Sequence, residues 1–324
     1  MDKLLEIKNL SVGLLTAYGF VHGVRDVSLD VFEGETVGIV GESGCGKTLT
    51  AKSVLGLHNE ERTELGGEII FTKKNGEKAD ILKLGRRELR KLRGSEISMV
   101  LQDPPLSLSP IISVGKQLED VIIANRGVSR KEAESVAIGL LNDVGIDRPE
   151  MRLKSLPGEL SGGQLQRICI AAAISSNPRL LIADEPTTAL DSVTQAQILG
   201  LLKSLSEQRK MAVLIVTHNF SVVKRLCDRV YVMYAGFVAE SGSVAEVIKN
   251  PLHCYTRDLL RSIPDGTKKR LEAVSGTLPD VYSEIKGCAY APRCKNACAS
   301  CFEKTEPRTE GGRTSLCLAG RCGA

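Results

Sequence analysis

Eight consecutive residues, Gly41-Glu42-Ser43-Gly44-Cys45-Gly46-Lys47-Thr48, carry the most explicit chemistry in the chain. Glycines at this spacing let backbone N–H groups turn towards an anion. The helix expected over residues 49–57 adds the positive end of its dipole. Lys47 is spaced to reach the β- and γ-phosphates of a nucleotide, and the Thr48 hydroxyl to ligate Mg²⁺. The apolar run from Thr36 to Val40 supplies the preceding strand that a chance glycine turn would lack. Further along, Leu180-Leu181-Ile182-Ala183 ends at once in Asp184-Glu185. An apolar strand delivering two carboxylates puts them at the ligand-binding edge of a parallel sheet. Asp184 suits Mg²⁺, through oxygen or a bound water, and Glu185 suits polarising an attacking water.

A second segment, Leu160-Ser161-Gly162-Gly163-Gln164, precedes a helical stretch over residues 165–175. Ser161 is an N-cap candidate, and the two glycines expose N–H groups at a positive helix end. Alone, it reads more readily as a capped helix start than as a second phosphate site. His218 follows another apolar strand, in Val216-Thr217-His218-Asn219, where a lone histidine is more often structural than functional. No Asn-Lys-x-Asp guanine-reading motif occurs, so a GTPase is not expected.

The elements that must position these residues alternate between two periods. Residues 4–7 and 27–31 show period two, and residues 86–93 and 130–144 show charge-rich helical spacing. Short apolar strands over residues 180–183 and 212–216 flank a helical stretch at 194–208. That alternation predicts βαβ units and a parallel sheet. After Asn250-Pro251 the composition shifts to Pro, Gly and Cys, which places a boundary near residue 250.

Across 324 residues, 42% are hydrophobic and 25% charged, which excludes wholesale disorder and a polytopic membrane protein. No apolar run approaches the ~20 residues of a bilayer span. The first residues, MDKLLEIKNL, lack the features of a secretory signal, so a cytosolic chain is expected. A net charge of +4, no Trp and 4% aromatic residues argue against a nucleic-acid surface. Of ten cysteines, six fall between Cys288 and Cys322. Without a secretion signal, such a cluster favours metal ligation over disulfides.

In chain order, residues 41–48 (Walker A), Gln102 (Q-loop), residues 160–164 (signature), residues 180–185 (Walker B), Ala189-Leu190-Asp191 (D-loop) and His218 (switch histidine) resemble the nucleotide-binding subunits of ATP-binding cassette (ABC) transporters. The resemblance covers residues 4–245. It implies an α/β P-loop NTPase fold: an ABC ATPase domain over residues 1–250 with a helical subdomain at about 103–176. A small Cys-rich extension over 251–324 completes the chain. It also implies ATP bound by Gly41, Glu42, Ser43, Gly44, Cys45, Gly46, Lys47 and Thr48, with Mg²⁺ held by Thr48, Gln102 and Asp184. Glu185 and His218 would be catalytic. In a head-to-tail dimer, Ser161, Gly162, Gly163 and Gln164 would reach the nucleotide of the partner, with Asp191 close by. Asn219 stands where the family has Asp. The adenine-stacking aromatic is replaced by Leu14, with Tyr18 or Phe20 as alternatives.

Three further segments resemble the ATPases of peptide-type importers: residues 102–110, residues 190–199 and Pro251-Leu252-His253-Cys254-Tyr255-Thr256-Arg257. Leu101, Cys254 and Gly158 depart from that pattern, standing for Phe, Pro and His. Cys288, Cys294, Cys301 and Cys317 resemble the group's four-cysteine tail, which implies a [4Fe–4S] cluster. Thiolates suit Zn²⁺ equally, and Cys298 and Cys322 are additional. Either metal would staple the tail, so loss of Cys294 is expected to leave ATP binding intact. The function implied is ATP hydrolysis energising import of dipeptides or oligopeptides. The alternatives are a nickel or other small-solute importer and, less favoured, a non-transport ATPase of the superfamily. Implied partners are membrane permease subunits, a second ATP-binding subunit of the same or another kind, and an extracytoplasmic solute-binding protein. The place implied is the cytoplasmic face of the membrane, as a peripheral subunit.

Overall fold

Period-two alternation at residues 4–7 and 27–31 marks parts of two long strands, β1 (Lys3–Thr16) and β2 (Gly19–Phe32). The computed structural model describes residues 2–263, 274, 276–303 and 306–317. The sequence pattern predicts only residues 4–7 and 27–31 here. Register shifts between Ile7 and Leu10 and between Leu10 and Val12 break the period-two signal, while pairing continues through them.

The remaining elements follow in order. β3 (Thr36–Val40) leads to α1 (Lys47–Val54), then β4 (Thr63–Thr72), β5 (Lys78–Asp80), α2 (Arg86–Leu92) and β6 (Ile97–Val100). A helical region comes next, made of α3 (Pro104–Ser107), α4 (Val114–Arg126), α5 (Arg130–Asp143), α6 (Pro149–Arg152) and α7 (Gly162–Ile174). The chain then returns to β7 (Leu180–Asp184), α8 (Ser192–Arg209), β8 (Ala212–Thr217), α9 (Phe220–Leu226), β9 (Arg229–Tyr234), β10 (Phe237–Ser243) and α10 (Val244–Lys249). Beyond it lie α11 (Cys254–Arg261), β11 (Arg308–Glu310) and β12 (Arg313–Ser315).

Two sheets form. An antiparallel sheet runs β2-β1-β4-β5, and a larger one runs β11-β12-β10-β9-β3-β8-β7-β6. Within the larger sheet β9, β3, β8, β7 and β6 are parallel. Every residue of β7 and β8 is buried, which is why these strands read as unbroken apolar runs. Leu5, Ile7, Phe71, Ile39, Leu214 and Met233 fill the layer between the sheets. Leu118, Ile122, Leu141, Ile168 and Ala171 join the helical region to the opposite face of the sheet, at Leu181, Val213 and Ile215.

The C-terminal residues are more closely joined to the rest than the composition shift predicts. β12 pairs with β10, extending the larger sheet, and Tyr255 and Tyr290 are buried with Tyr234, Val40 and Val232. No helix among the described residues is long and apolar enough to cross a membrane.

Candidate nucleotide site

Four neighbouring parallel strands, β6, β7, β8 and β3, end at one edge of the sheet. The phosphate loop leaves β3, Gln102 lies two residues past β6, Asp184 and Glu185 terminate β7, and His218 follows β8. Carboxyl ends of parallel strands are where α/β sheets bind ligands.

In the loop, Gly46 caps α1 with φ 102° and Gly44 has φ 82°, both in the region that favours glycine. A Cβ on Gly41 would meet the Met233 carbonyl at 2.1 Å, so β9 packs against the loop's first residue. Cys45 is buried, and that burial raises its thiol pKa. Lys47 is buried too; its Nζ donates to the carbonyls of Gly41 at 2.9 Å and Glu42 at 3.0 Å. An ammonium satisfied by two carbonyls can exchange them for phosphate oxygens with little change in position. Ser43 is exposed at the loop's outer face.

Thr48 Oγ1 donates to Asp184 Oδ1 at 3.1 Å, which sets two hard oxygen ligands side by side. Burial and the neighbouring Glu185 raise the Asp184 pKa despite the bond from Thr48. A bare carboxylate is therefore disfavoured here, and a cation at this spot would relieve it. The donor chemistry fits Mg²⁺.

Glu185 and His218 meet directly. Glu185 Oε1 lies 2.7 Å from His218 Nδ1 and accepts the His218 backbone N–H at 3.0 Å. Thr188 Oγ1 donates to the other carboxylate oxygen at 3.2 Å. Glu185 sits at φ 50°, a left-handed conformation costing a non-glycine residue roughly 1–2 kcal/mol. Its backbone N–H donates to the Val216 carbonyl, at the end of β8, at 2.8 Å.

The glycine segment at 161–164 opens α7 with a reciprocal capping box. Ser161 Oγ accepts the Gln164 N–H and Gln164 Oε1 accepts the Ser161 N–H. A Cβ on Gly163 would meet Thr194 Cγ2 at 2.6 Å, so Gly163 lets α8 approach. Asp191 caps α8, accepting from the Val193 and Thr194 N–H groups and the Thr194 hydroxyl, and the hydroxyl's bond above all lowers its pKa. Among the described residues no hydrogen bond or ion pair joins residues 161–164 to residues 41–48. Gln102 is exposed in the loop after β6. Leu14 packs with the core, Tyr18 is exposed in the turn between β1 and β2, and Phe20 meets the His22 ring edge-on at 5.0 Å.

The tail thiols converge only in part. Cys288, Cys294 and Cys317 pack against the cluster that buries Cys254, with Cys288 Sγ 3.7 Å from His253 Nε2. Cys301 Sγ instead lies 3.7 Å from the sulfur of Cys298, which is disulfide-bonded, against the expectation that the cluster favours metal ligation over disulfides. The donors are chemically suited to a soft metal. Even so, no group of three or more His, Cys, Asp or Glu that could hold a metal ion occurs among the described residues. Cys322 lies outside the described residues.

Sequence reasoning missed the neighbours of Glu42. Its carboxylate is held by Arg293 and its N–H by Tyr255 Oη, both from beyond residue 250. The tail is thus no detached staple but a wall of the phosphate loop. Tyr255 and Arg293 fall in segments whose only sequence signal was their resemblance to a family tail.

A glycine loop at a strand edge, a carboxylate pair beside it and a second capped glycine helix define a nucleotide-hydrolysing cassette. A family profile described as ABC transporter matches residues 24–188, and one described as oligopeptide/dipeptide transporter, C-terminal region, matches residues 239–301. The dipeptide transport ATP-binding protein DppD of Bacillus subtilis is 43% identical over 93% of this chain and 89% of its own length. The oligopeptide transport ATP-binding protein AppD of the same organism is 40% identical over 98% of this chain and 97% of its own length. A dimeric ATP-binding cassette solved in a post-hydrolysis state with ADP and phosphate superposes with a TM-score of 0.64. That cassette is 30% identical, over 74% of this chain and 98% of its own. The chain belongs to the ABC transporter family and is an ATPase of that family.

Proposed function

We propose that this chain is the ATP-hydrolysing subunit of a membrane importer for dipeptides or oligopeptides. The observation that carries the reading is the match of residues 239–301 to the oligopeptide/dipeptide transporter C-terminal region, on a cassette whose strand edge gathers Lys47, Thr48, Asp184, Glu185 and His218. Residues 1–250 form the cassette, with the helical subdomain at about 103–176, and residues 251–324 the extension. Residues 41–48 bind ATP. Thr48, Gln102 and Asp184 would hold Mg²⁺, which would supply neutralisation of phosphate charge. Lys47 leaves the Gly41 and Glu42 carbonyls for the γ-phosphate. Glu185, aligned by His218, orients and polarises the attacking water. Because residues 161–164 do not meet their own loop, they serve the nucleotide of a second ATP-binding subunit, with Asp191 at the same interface.

Permease subunits dock at a cleft of ≈540 Å³ between β6, α4 and α7, lined by Leu101, Leu108, Leu118, Val121 and Ile168. Leu106 and Ile111, next to it, are 85% and 84% exposed. Docking there makes the chain a peripheral subunit on the cytoplasmic face, with a solute-binding protein on the other side. The tail thiols would hold a [4Fe–4S] cluster, or Zn²⁺, as a structural staple. Metal analysis of anaerobically purified chain tests that assignment, and iron with sulfide, zinc alone and neither are separate outcomes.

Uptake of labelled dipeptide, oligopeptide and Ni²⁺ in cells lacking the gene tests the function. Peptide uptake is expected to fail and to return with wild type but not with Glu185→Gln. Failure of Ni²⁺ uptake alone would move the cargo, and no dependent solute would remove the importer reading. In vitro, Glu185→Gln should retain ATP binding and lose turnover by at least about 100-fold. Near-normal hydrolysis would take the role from Glu185.

A further inference from the structure

Glu42, second residue of the phosphate loop, is bound at every polar atom it possesses. Its N–H donates to Tyr255 Oη at 2.9 Å, and its carbonyl accepts from Lys47 Nζ at 3.0 Å. Its two carboxylate oxygens accept from Arg293 Nη1 at 2.8 Å and Nη2 at 3.1 Å. Tyr255 and Arg293 lie 213 and 251 positions further along the chain, so the C-terminal region grips the loop from outside.

Arg293 is itself fixed. Its side chain is 6% exposed; Nη1 also donates to Tyr234 Oη at 3.1 Å and Nη2 to the Val274 carbonyl at 3.2 Å. The guanidinium lies 5.6 Å from the Tyr234 ring centroid and 5.7 Å from that of Tyr290. A bidentate guanidinium–carboxylate pair fixes distance and plane together. Buried pairs of this kind add little net stability, because desolvation offsets the attraction; what they supply is one geometry.

That geometry matters most when ATP arrives. Lys47 must then give up the Glu42 carbonyl for phosphate, which leaves the Cys45 N–H, at 3.3 Å, as the loop's own bond to Glu42. Arg293 and Tyr255 remain, and they keep the following N–H groups aimed at the phosphates. Order established before binding is order that the ligand need not impose.

We propose that Arg293 is a positioning residue for ATP: its bidentate hold on Glu42 preorganises the phosphate loop, so that the C-terminal region sets nucleotide affinity. The proposal rests on the reading of residues 41–48 as the nucleotide loop. It differs from the simple staple expected of the tail, because a staple has no reason to touch the loop.

The test is mant-ATP binding and steady-state hydrolysis by the full chain as wild type, Arg293→Gln, Arg293→Lys, Glu42→Gln and the Glu42→Gln/Arg293→Gln double variant. Arg293→Gln and Glu42→Gln should each weaken Kd and raise KM about tenfold, the scale of one lost charge-assisted bond pair. For Arg293→Gln the turnover number should change less than about twofold, since the guanidinium does not touch the reacting atoms. The double variant should be no weaker than the worse single one, and Arg293→Lys should recover part of the loss. Kd within twofold of wild type for both single variants, or losses that multiply, would overturn the inference. Should Arg293→Gln fail to fold by thermal melting, Glu42→Gln breaks the same link from its less buried end and decides alone. Wild type that binds no mant-ATP would overturn the nucleotide reading as well, which separates the two failures.

Discussion

Asp184 and Asp30 are both acids at strand ends or edges, and their surroundings push them in opposite directions. Asp184 is buried beside another carboxylate, so its proton is held more tightly than usual until a cation comes. At Asp30 burial acts the same way, but hydrogen bonds from Arg229 and Tyr231, at 2.8 Å each, outweigh it and lower the pKa below its ordinary 3.8. A carboxylate with a depressed native pKa adds stability that is fully present above the unfolded value and lost as pH falls through the native one. Asp30→Asn should therefore destabilise the chain at pH 7, on the order of 1 kcal/mol for the lost charged bonds. The gap from wild type should close as the medium is taken from pH 5 to below 3. Urea midpoints at pH 7, 4 and 3 check this, and a gap that stays constant would remove the Arg229–Asp30 link as its cause.

At the scale of elements, the proposed function gives the start of α7 two jobs through one residue. Ser161 closes the capping box, and under the proposed function the same hydroxyl would meet a partner's nucleotide. Ser161→Ala should cost about 1 kcal/mol of stability, the usual worth of an N-cap. Binding of mant-ATP to the single subunit should stay within about twofold, because no bond runs from Ser161 to its own loop. Hydrolysis should fall by an order of magnitude or more if the hydroxyl meets phosphate across an interface. A variant that loses only stability would leave Ser161 as a cap and nothing else. The elements themselves were unequally legible. β3, β7 and β8 could be read to within a residue or two because strands buried on both faces leave unbroken apolar runs that end in polar residues or glycine. Asp184, Glu185 and His218 stood out as candidates for the same reason, each lying at such a boundary, whereas Thr48 stood out through the glycine loop that follows β3. β9 was not read: its Tyr231 and Tyr234 are buried yet reach Asp30 and Arg293 with their hydroxyls, so neither alternation nor a purely apolar run marks it. β11 and β12 have three residues each and exist only because β10 offers a free edge.

For the whole molecule, the question is whether the residues after 250 form a separate body. Sequence composition draws a line there, and chain-local signals cannot show what crosses it. Glu240, on β10 and fully buried, shows the crossing. Its carboxylate accepts the Leu252 and His253 N–H groups at 2.9 Å each and Arg313 Nη2 at 2.7 Å. Arg313 Nη2 also donates to the Asn250 carbonyl at 2.6 Å, so a strand residue from the tail ties down the hinge from which the tail departs. Arg313→Met keeps much of the apolar stem but leaves a buried carboxylate without its cation, a change worth about 3–5 kcal/mol. Glu240→Gln in the same chain should return part of that loss, since the amide needs no counter-charge. Because β12 lies in the sheet that carries the phosphate loop, and Arg293 grips that loop, the destabilisation should appear as one shifted transition by both far-ultraviolet dichroism and mant-ATP release. A tail that was a separate body would behave otherwise: an early transition would be lost to the variant while nucleotide release stayed at the wild-type denaturant concentration. That outcome would divide the chain at residue 250, and with it the proposed path from the thiol-rich tail to the nucleotide would fall.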